Sequence, residues 1–565
     1  MWILESIIKF KNIYIDDLNL IKFKLNTPKY LNLPDDTSAI IRVENLNFKP
    51  SEFLTYAFII SIFLLIFEIQ KFSKVKKILL FIAPFYLVIK LIISYESFLE
   101  LNQDSIAWII TSIRVDSLNT FEYLASWDHK GSTIYWIYLL IFKYFKISDN
   151  LWANYSLVFI LWSLFITYLS SKYLNKNNSN KYTVYLISIM LFLNLTFTPG
   201  GQYPVFDSRF VGSSFVFIGI YCLIDEKYKL SSFFLALSIL TLPTFALSSF
   251  AIFFITVYKN LNSKISRFLE IVMPYFFVFI GYIIYLFFTS QMDEFLRLVI
   301  KFNLNLNGVG EYYPLTYVIQ SNLYLVCFFV ITLVFFKKLY KKFGDKYLLI
   351  EVWSICAFLH LVLTGPRYYQ YDQLLVIPLS LTGFFAFYVV YDILRKVRKS
   401  NVFLKLFLII FTFLPLSVFS YSVTTALEIK PVDIFGAKDK VIEVLHFEED
   451  SKIYKKEPVL AIFFIDGKDW QDTLSNYNFL PSTRFWQKFW NKRDFGWPRE
   501  FNWELIITDE EYETLLIDDL KKEDPRYAVV NVNYNSSHKN ILFDYILKNY
   551  NLESCDEQNC IYIKK

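Results

Sequence analysis

Apolar runs long enough to cross a lipid bilayer recur along this chain of 565 residues. A membrane-spanning helix needs about 20 mostly apolar residues, and runs of that length recur far more often here than a soluble core requires. Hydrophobic residues make up 55% of the sequence, and the mean hydropathy is +0.37. The sequence therefore predicts a polytopic α-helical membrane protein with about 12 spans. The predicted spans lie near residues 53–70, 78–95, 151–171, 183–198, 208–224, 230–242, 243–258, 268–289, 316–336, 347–364, 373–393 and 402–423.

Basic loops follow every second predicted span, and they set the orientation. Lys and Arg cluster at 71–77, 337–346 and 395–399, among other places. Because cytoplasmic loops carry the excess of Lys and Arg, we expect these loops to face the cytoplasm. The outer side then receives the N-terminal tail, the connections 96–150, 199–207, 290–315 and 365–372, and the C-terminal tail from residue 430 onward.

This alternation divides the chain into three predicted domains. Residues 1–52 form an extracytoplasmic tail, and 53–430 form the membrane domain, with its first outer loop at 96–150. Residues 431–565 form a small extracytoplasmic α/β domain. The two predicted spans on either side of Leu242-Pro243-Thr244 are short and could be one interrupted pair.

The C-terminal domain combines strand and helix patterns. Its predicted elements are buried strands at Val459–Phe464 and Tyr527–Val532, a helix within Asn540–Tyr550 and a terminal hairpin strand at Ile561–Ile563. Cys555 and Cys560 flank a four-residue turn. On an oxidising outer side this pair predicts a hairpin disulfide, and the alternative is two free thiols.

Several classes of function find no support in the sequence. The net charge of +5 is spread over separate clusters, unlike the basic face of a nucleic-acid binder. Five cysteines are too few for a disulfide scaffold. No P-loop, zinc motif or dinucleotide fingerprint is present.

The first outer loop carries the densest cluster of charge. Asp104 follows Asn102-Gln103, and the segment Trp127-Asp128-His129-Lys130-Gly131 lies further along the loop. Charged groups beside a bilayer are costly unless they have a function. The apolar stretch 133–145 is predicted to be a helix at the membrane interface, because a crossing there would place later lysines on the wrong side. Asp116 and Glu122 are expected to occupy solvated faces of this loop.

Other outer connections bring further polar residues to the same face of the membrane. Asp207 and Arg209 stand at the mouth of one predicted span, and Arg367, Tyr369 and Tyr371 lie in another connection. A carboxylate can act as the base for an acceptor hydroxyl, while Lys and Arg can hold a departing lipid phosphate. Aromatic side chains can stack on a sugar or shield an isoprenoid. The set suits sugar transfer from a polyprenyl-phosphate donor.

Each candidate also has a structural alternative. Asp104 could cap a helix that begins at Ser105, and Lys130 could extend to lipid headgroups. Asp128 could pair with Lys130, and Asp207 with Arg209. His129 is more often a structural residue at an interface. The remaining candidates, Trp127, Tyr369, Tyr371 and Arg367, could belong to an aromatic belt or mark the end of a span.

The motif order resembles a known family. The series Gln103-Asp104, Trp127 to Ser132 and then an aromatic helix is similar to the first outer loop of membrane glycosyltransferases of the C superfamily. The resemblance is to the bacterial branch related to protein mannosyltransferases and the lipid A aminoarabinose transferase. Segments 365–371, 481–485 and 524–530 also resemble that branch. This chain has Gly131-Ser132 where bacterial members often have a proline, and Gln370 where His is common.

The resemblance implies an inverting transfer from a polyprenyl-phosphate sugar to an envelope acceptor. It implies that Asp104 and Asp207 are the first- and second-loop acids and that Lys130 contacts the lipid phosphate. The acceptor could be lipopolysaccharide, another glycan or a protein, and no nucleic acid is expected. The predicted location is the bacterial inner membrane, with the site on the periplasmic side. Two outer carboxylates could hold a divalent cation, although no His/Cys cluster supports a metal site.

Two alternatives to this function stay open. An O-antigen polymerase or ligase also acts on lipid-linked glycans in outer loops, but would depend on Arg and His more than on first-loop carboxylates. A transporter or flippase would need ionisable residues deep inside the spans or inverted repeats, and the sequence has few of the former and no clear case of the latter.

Overall fold

The computed structural model describes the central helical part of the chain and much of the C-terminal segment. The described residues are 103–127, 130–145, 151–175, positions 184, 187, 188, 191 and 195, 208–261, 265–302, 323–363, 373–396, 459–464, 479–481, 506–525, 527–531, 539–555 and 559–565. The predicted tail 1–52 and the predicted spans at 53–70, 78–95 and 402–423 lie outside them. The domain boundaries stay predictions.

The first outer loop is largely helical. It contains α1 (Gln103–Ser117), α2 (Glu122–Ala125) and α3 (Ser132–Tyr144). The turn between α1 and α2 contains Asn119 in the left-handed conformation, which Asn adopts more readily than most residues. The Trp108 and Tyr138 rings meet edge to face with centroids 5.8 Å apart, which joins α1 to α3.

Ten further helices with defined bounds follow in the described part of the chain before the C-terminal segment, and most of them match predicted spans. They are α4 (Leu151–Asn175), α5 (Ser208–Ile224), α6 (Tyr228–Thr241), α7 (Ala246–Lys259), α8 (Ile265–Phe288), α9 (Met292–Phe295), α10 (Leu323–Val334), α11 (Phe336–Phe343), α12 (Asp345–Leu363) and α13 (Gln373–Lys396). A 3-10 turn, Pro243–Phe245, separates α6 from α7, and a π-helix, Leu296–Phe302, follows α9.

One helix in the described part of the chain is both long and apolar enough to cross a membrane. This is α8, with 24 residues and a mean hydropathy of 2.2 over its most apolar window. Only 22% of that window is buried inside the protein, which suits contact with lipid. Shorter apolar helices of 10–17 residues include α5, α6 and the stretch Leu374–Val390. The number of spans stays a prediction.

Glycines allow the helices to approach closely. A Cβ atom on Gly219 of α5 would lie 2.9 Å from Cγ of Leu235 on α6. A Cβ atom on Gly212 would lie 2.1 Å from the ring of Phe245. Small residues at helix contacts are typical of membrane bundles, where packing replaces the hydrophobic effect as the driving force. The interrupted pair predicted around Pro243 is confirmed, because the proline ends α6 and forces Leu242 into an extended conformation.

The C-terminal segment forms a mixed five-stranded sheet. Its strands are β1 (Val459–Phe464), β2 (Phe479–Pro481), β3 (Tyr527–Asn531), β4 (Tyr550–Cys555) and β5 (Asn559–Lys564). Their order is β2-β1-β3-β5-β4, with β1 parallel to β2 and β3, and with β5 antiparallel to β3 and β4. The helices α14 (Asp509–Glu523) and α15 (Lys539–Asn549) accompany the sheet.

The predicted elements of this segment are present. The strands at β1 and β3, the helix at α15 and the terminal hairpin lie where the sequence patterns place them. Cys555 and Cys560 form a disulfide between paired positions of β4 and β5. Thr508 caps α14 by accepting a hydrogen bond from the Glu511 backbone N–H at 3.2 Å.

Candidate active site

Gly131, the residue after Lys130, lies against the corner between α6 and α7. The Gly131 backbone N–H donates to the Thr241 carbonyl oxygen at 3.3 Å. A Cβ atom at Gly131 would lie 1.8 Å from the Leu240 carbonyl oxygen, so the approach requires glycine. The Lys130 side chain is 5% exposed. That burial is incompatible with the alternative in which Lys130 extends to lipid headgroups.

Arg209 occupies the first turn of α5, close to the same corner. Its side chain is 3% exposed. Gly212, one turn further along α5, packs directly on Phe245 of the 3-10 turn that follows the corner. Arg209 also interacts electrostatically with His360 near the end of α12. Lys130 precedes Gly131, which meets the α6–α7 corner, and Arg209 is one helix turn from Gly212, which packs on Phe245 just after that corner.

A buried carboxyl group lies in the same loop, where the sequence predicted a solvated one. Glu122 is 2% exposed, so the prediction of a solvated face is wrong for this residue. Its Oε2 accepts a hydrogen bond from the Tyr285 hydroxyl at 2.8 Å. Burial raises the pKa of Glu122, and hydrogen bonding by Ser132, Tyr285 and Trp136 opposes that rise only in part. Local sequence does not reveal this burial, because the covering residue Tyr285 is distant in the chain.

The neighbouring Asp116 matches its prediction more closely. Its side chain is 35% exposed and forms an ion pair with Lys143 at 2.7 Å. Arg114, which is not a predicted site residue, is 2% exposed and donates from Nε to the Ala125 carbonyl oxygen at 2.7 Å. This bond ties α2 to α1 and was not foreseen from the sequence.

Trp127 is 1% exposed and belongs to the protein core. Its indole is therefore packed inside the protein and not presented on the outer surface. Asp104 lies in the first turn of α1, which begins at Gln103, one residue before it. Both roles predicted for Asp104, general base and helix cap, stay predictions. The orientation of the Asp104 side chain is outside the described structure.

The other predicted site residues lie outside the described residues. They are Asp128, His129, Asp207, Arg367, Tyr369 and Tyr371. In the described part of the chain, no group of three or more His, Cys, Asp or Glu side chains is placed to hold a metal ion. The prediction that two outer carboxylates could hold a divalent cation is not tested by that finding.

An apolar cleft opens between the end of α3 and the middle of α4. Its volume is about 410 Å³. The lining residues are Leu140, Ile141, Tyr144, Phe145, Val158, Leu161, Trp162 and Phe165. Because α3 rises 1.5 Å per residue, the cleft begins about 12 Å along the helix from Ser132, its first residue. Its lining suits an extended apolar chain and offers almost nothing to a polar ligand.

Comparison with known proteins finds relatives by structure alone. No family model matches the sequence, and no curated protein matches it. The fold is similar to the crystal structure of ArnT from Cupriavidus metallidurans bound to undecaprenyl phosphate, with a TM-score of 0.50 and 11% identity over 85% of this chain and 97% of that one. The apo form of the same protein gives a TM-score of 0.48 with 11% identity over 85% and 98% of the two chains.

A third similar structure is the oligosaccharyltransferase AglB from Archaeoglobus fulgidus, in complex with an inhibitory peptide and a dolichol-phosphate. Its TM-score is 0.42, with 11% identity over 77% of this chain and 66% of that one. The similarity to ArnT confirms, for the fold, the family resemblance predicted from the first outer loop.

Proposed function

We propose that the protein is an integral-membrane glycosyltransferase that moves a sugar from a polyprenyl-phosphate carrier to an acceptor of the cell envelope. The reaction takes place on the outer face of the bacterial inner membrane and inverts the anomeric carbon. The acceptor hydroxyl attacks that carbon, its proton passes to a carboxylate, and the lipid phosphate leaves with the bonding electrons. The ArnT structure with undecaprenyl phosphate supports this class of donor.

The observation that carries the proposal is the burial of Lys130 and Arg209 beside one helix corner. Two cations inside a low-dielectric region produce a positive field that a departing phosphate would meet. Held by fixed packing, such groups need little reorganisation as negative charge develops on the leaving oxygen. Arg367 is the third cation assigned to this clamp.

The carboxylates take the remaining roles. Asp104 is the general base, and it lies near the described start of α1. Asp207 and Asp128 position the sugar or the acceptor. His129, Tyr369 and Tyr371 are assigned to the walls around the substrate, whereas Trp127 is buried in the core and is not assigned to them. The cleft between α3 and α4 is assigned to part of the isoprenoid chain.

The test is sugar transfer by the purified protein in detergent or nanodiscs. The donors are undecaprenyl phosphates that carry a hexose or a pentose, and the acceptors are extracted envelope glycolipids and proteins. The products are measured by mass spectrometry. Asp104→Asn is expected to lower kcat by about 100-fold or more, the usual contribution of a general base. Asp116→Asn is the matched control, because Asp116 lies on the same helix and is partly exposed. It is expected to keep nearly full activity.

Three results would overturn the assignment. Full transfer by a folded Asp104→Asn variant would remove the base. A greater loss from Arg367→Ala than from Asp104→Asn would favour a polymerase or ligase. Movement of the lipid across liposomes without any glycan product would favour a transporter.

A further inference from the structure

We infer that Glu122 is a positioning residue which, through Tyr282 and Tyr285 of α8, fixes the backbone at Lys130–Ser132 and so places the Lys130 ammonium in the phosphate clamp. The inference rests on the proposed function for the role of Lys130. Its structural part, the attachment of the loop to α8, can be tested without any donor sugar.

The first attachment is the carboxyl group itself. Tyr285 donates to Glu122 Oε2, while Glu122 Oε1 has no hydrogen-bond partner among the described residues. Trp136 meets the Tyr285 ring edge to face with centroids 5.4 Å apart, which closes the pocket from the side of α3. A carboxyl group is expensive to bury, so this position is poorly explained by packing alone.

The second attachment passes through Tyr123, the next residue in the chain. Its backbone N–H donates to Gln291 Oε1 at 3.0 Å, and its hydroxyl donates to the Lys130 carbonyl oxygen at 2.9 Å. Gln291 is held in turn by a 2.8 Å bond from its Nε2 to Thr289 Oγ1. Tyr123 is fully buried, so it joins the end of α8 to the backbone of Lys130 without access of bulk water.

The third attachment reaches the other side of Lys130. The Ser132 and Tyr282 hydroxyls share a 2.7 Å hydrogen bond. The Tyr282 and Tyr285 rings are stacked on one face of α8, with centroids 6.3 Å apart and planes 22° apart. Movement of Tyr285 after loss of Glu122 would therefore carry Tyr282 with it and release Ser132.

The role is positioning and not proton transfer. The described partners of the Glu122 carboxyl are protein side chains, and the residue acts on the donor only through Lys130. Burial raises the pKa of this carboxyl, which favours a neutral hydrogen-bonded group over a buried charge. Gln has nearly the same shape and can accept the same hydrogen bond, so Glu122→Gln should preserve the role while Glu122→Ala abolishes it.

The experiment compares Glu122→Gln, Glu122→Ala and Tyr285→Phe in the full-length protein. The first readout is hydrogen–deuterium exchange at the Gly131 amide, which is bonded to Thr241 in the intact loop. Glu122→Ala and Tyr285→Phe are expected to accelerate this exchange about tenfold, as for the loss of one buried hydrogen bond. Glu122→Gln should stay within about threefold of the wild type. Glu270→Gln is the matched control, because Glu270 is on α8 but is partly exposed and only loosely paired with Lys229.

The second readout is the Kd for undecaprenyl phosphate alone, followed by intrinsic fluorescence. The Kd is expected to rise about tenfold in Glu122→Ala and to stay near the wild-type value in Glu122→Gln. Unchanged exchange at Gly131 in both Glu122→Ala and Tyr285→Phe would overturn the inference, whatever the activity of the protein. Faster exchange with an unchanged Kd would also overturn it, because Lys130 would then bind phosphate without this support.

The two proposals fail in different ways. If no polyprenyl-phosphate sugar is a donor for the wild type, the proposed function fails. Hydrogen–deuterium exchange at Gly131 and the Kd for undecaprenyl phosphate still decide the role of Glu122 in that case. If Glu122→Gln loses transfer as severely as Asp104→Asn while its exchange stays normal, Glu122 is a catalytic group, and the positioning role is wrong.

Discussion

Replacing Gly131 with alanine tests the close approach between the first outer loop and the α6–α7 corner. The backbone of Gly131 has φ −74° and ψ 153°, which alanine adopts easily, so conformational strain is not the reason for glycine. The reason is space. The added Cβ would lie 1.8 Å from the Leu240 carbonyl oxygen, about 1.5 Å closer than an ordinary carbon–oxygen contact.

The expected cost follows from that overlap. The contact is with backbone, so the loop must move away as a unit, and overpacking of this kind typically costs about 1–3 kcal/mol. The movement also breaks the bond from the Gly131 N–H to the Thr241 carbonyl oxygen, worth about 0.5–1.5 kcal/mol. Gly131→Ala is therefore expected to lower the free energy of unfolding by about 2–4 kcal/mol. A shift of about 1 Å at Lys130 should lower sugar transfer about 100-fold.

Chemical unfolding in detergent, with sugar transfer measured on the same preparation, checks both values. Gly281→Ala is the control, because a Cβ atom there meets nothing within 4 Å and lies inside α8. This control should be neutral or stabilising by about 0.5–1 kcal/mol, as for Gly to Ala in a helix. Equal stability and activity of Gly131→Ala and Gly281→Ala would refute the requirement for a close approach.

Three other substitutions give separate tests. Burial raises the pKa of Glu122, so its contribution to stability is fully present below about pH 4.5, the ordinary pKa, and falls as pH rises towards the shifted pKa. The thermal midpoint of Glu122→Gln relative to wild type should therefore increase between pH 5 and pH 8. A constant difference between the two midpoints would contradict this. Replacing Cys555 and Cys560 by serine should destabilise the hairpin by about 2 kcal/mol, so its backbone amides should lose protection from hydrogen–deuterium exchange earlier than in the wild type. Equal protection in both proteins would argue against the disulfide. Arg297 and Glu511 form a partly exposed ion pair, so a double-mutant cycle should give a coupling below about 1 kcal/mol, and a larger value would mark a buried contact.

Sequence patterns predicted the elements that depend on local periodicity. The helix Ser208–Ile224 coincides with a predicted span, and the strand Val459–Phe464 coincides with a predicted buried strand. The break at Pro243 followed from the missing backbone N–H of proline. In each case the decisive information lies within a few residues of the element itself.

The interior of the site was not predictable in the same way. Glu122 looks like a solvated charge because its own neighbours give no reason for burial. Its partner Tyr285 is 163 residues away in the chain, and Gln291 is 168 residues from Tyr123. The need for glycine at 131 is likewise set by Leu240, far along the chain. A motif can identify such residues, but only tertiary packing assigns their environment.

The long sequence separation of these contacts has a consequence for biogenesis. The loop around Glu122 leaves the ribosome well before Tyr282, Tyr285 and Gln291 are made. In the orientation proposed above, it therefore cannot acquire its native partners when it first reaches the outer side. Maturation of the loop must wait until α8 has been inserted. A nascent chain stalled just before residue 265 should accordingly present this loop to an outside protease, while one released beyond residue 302 should protect it.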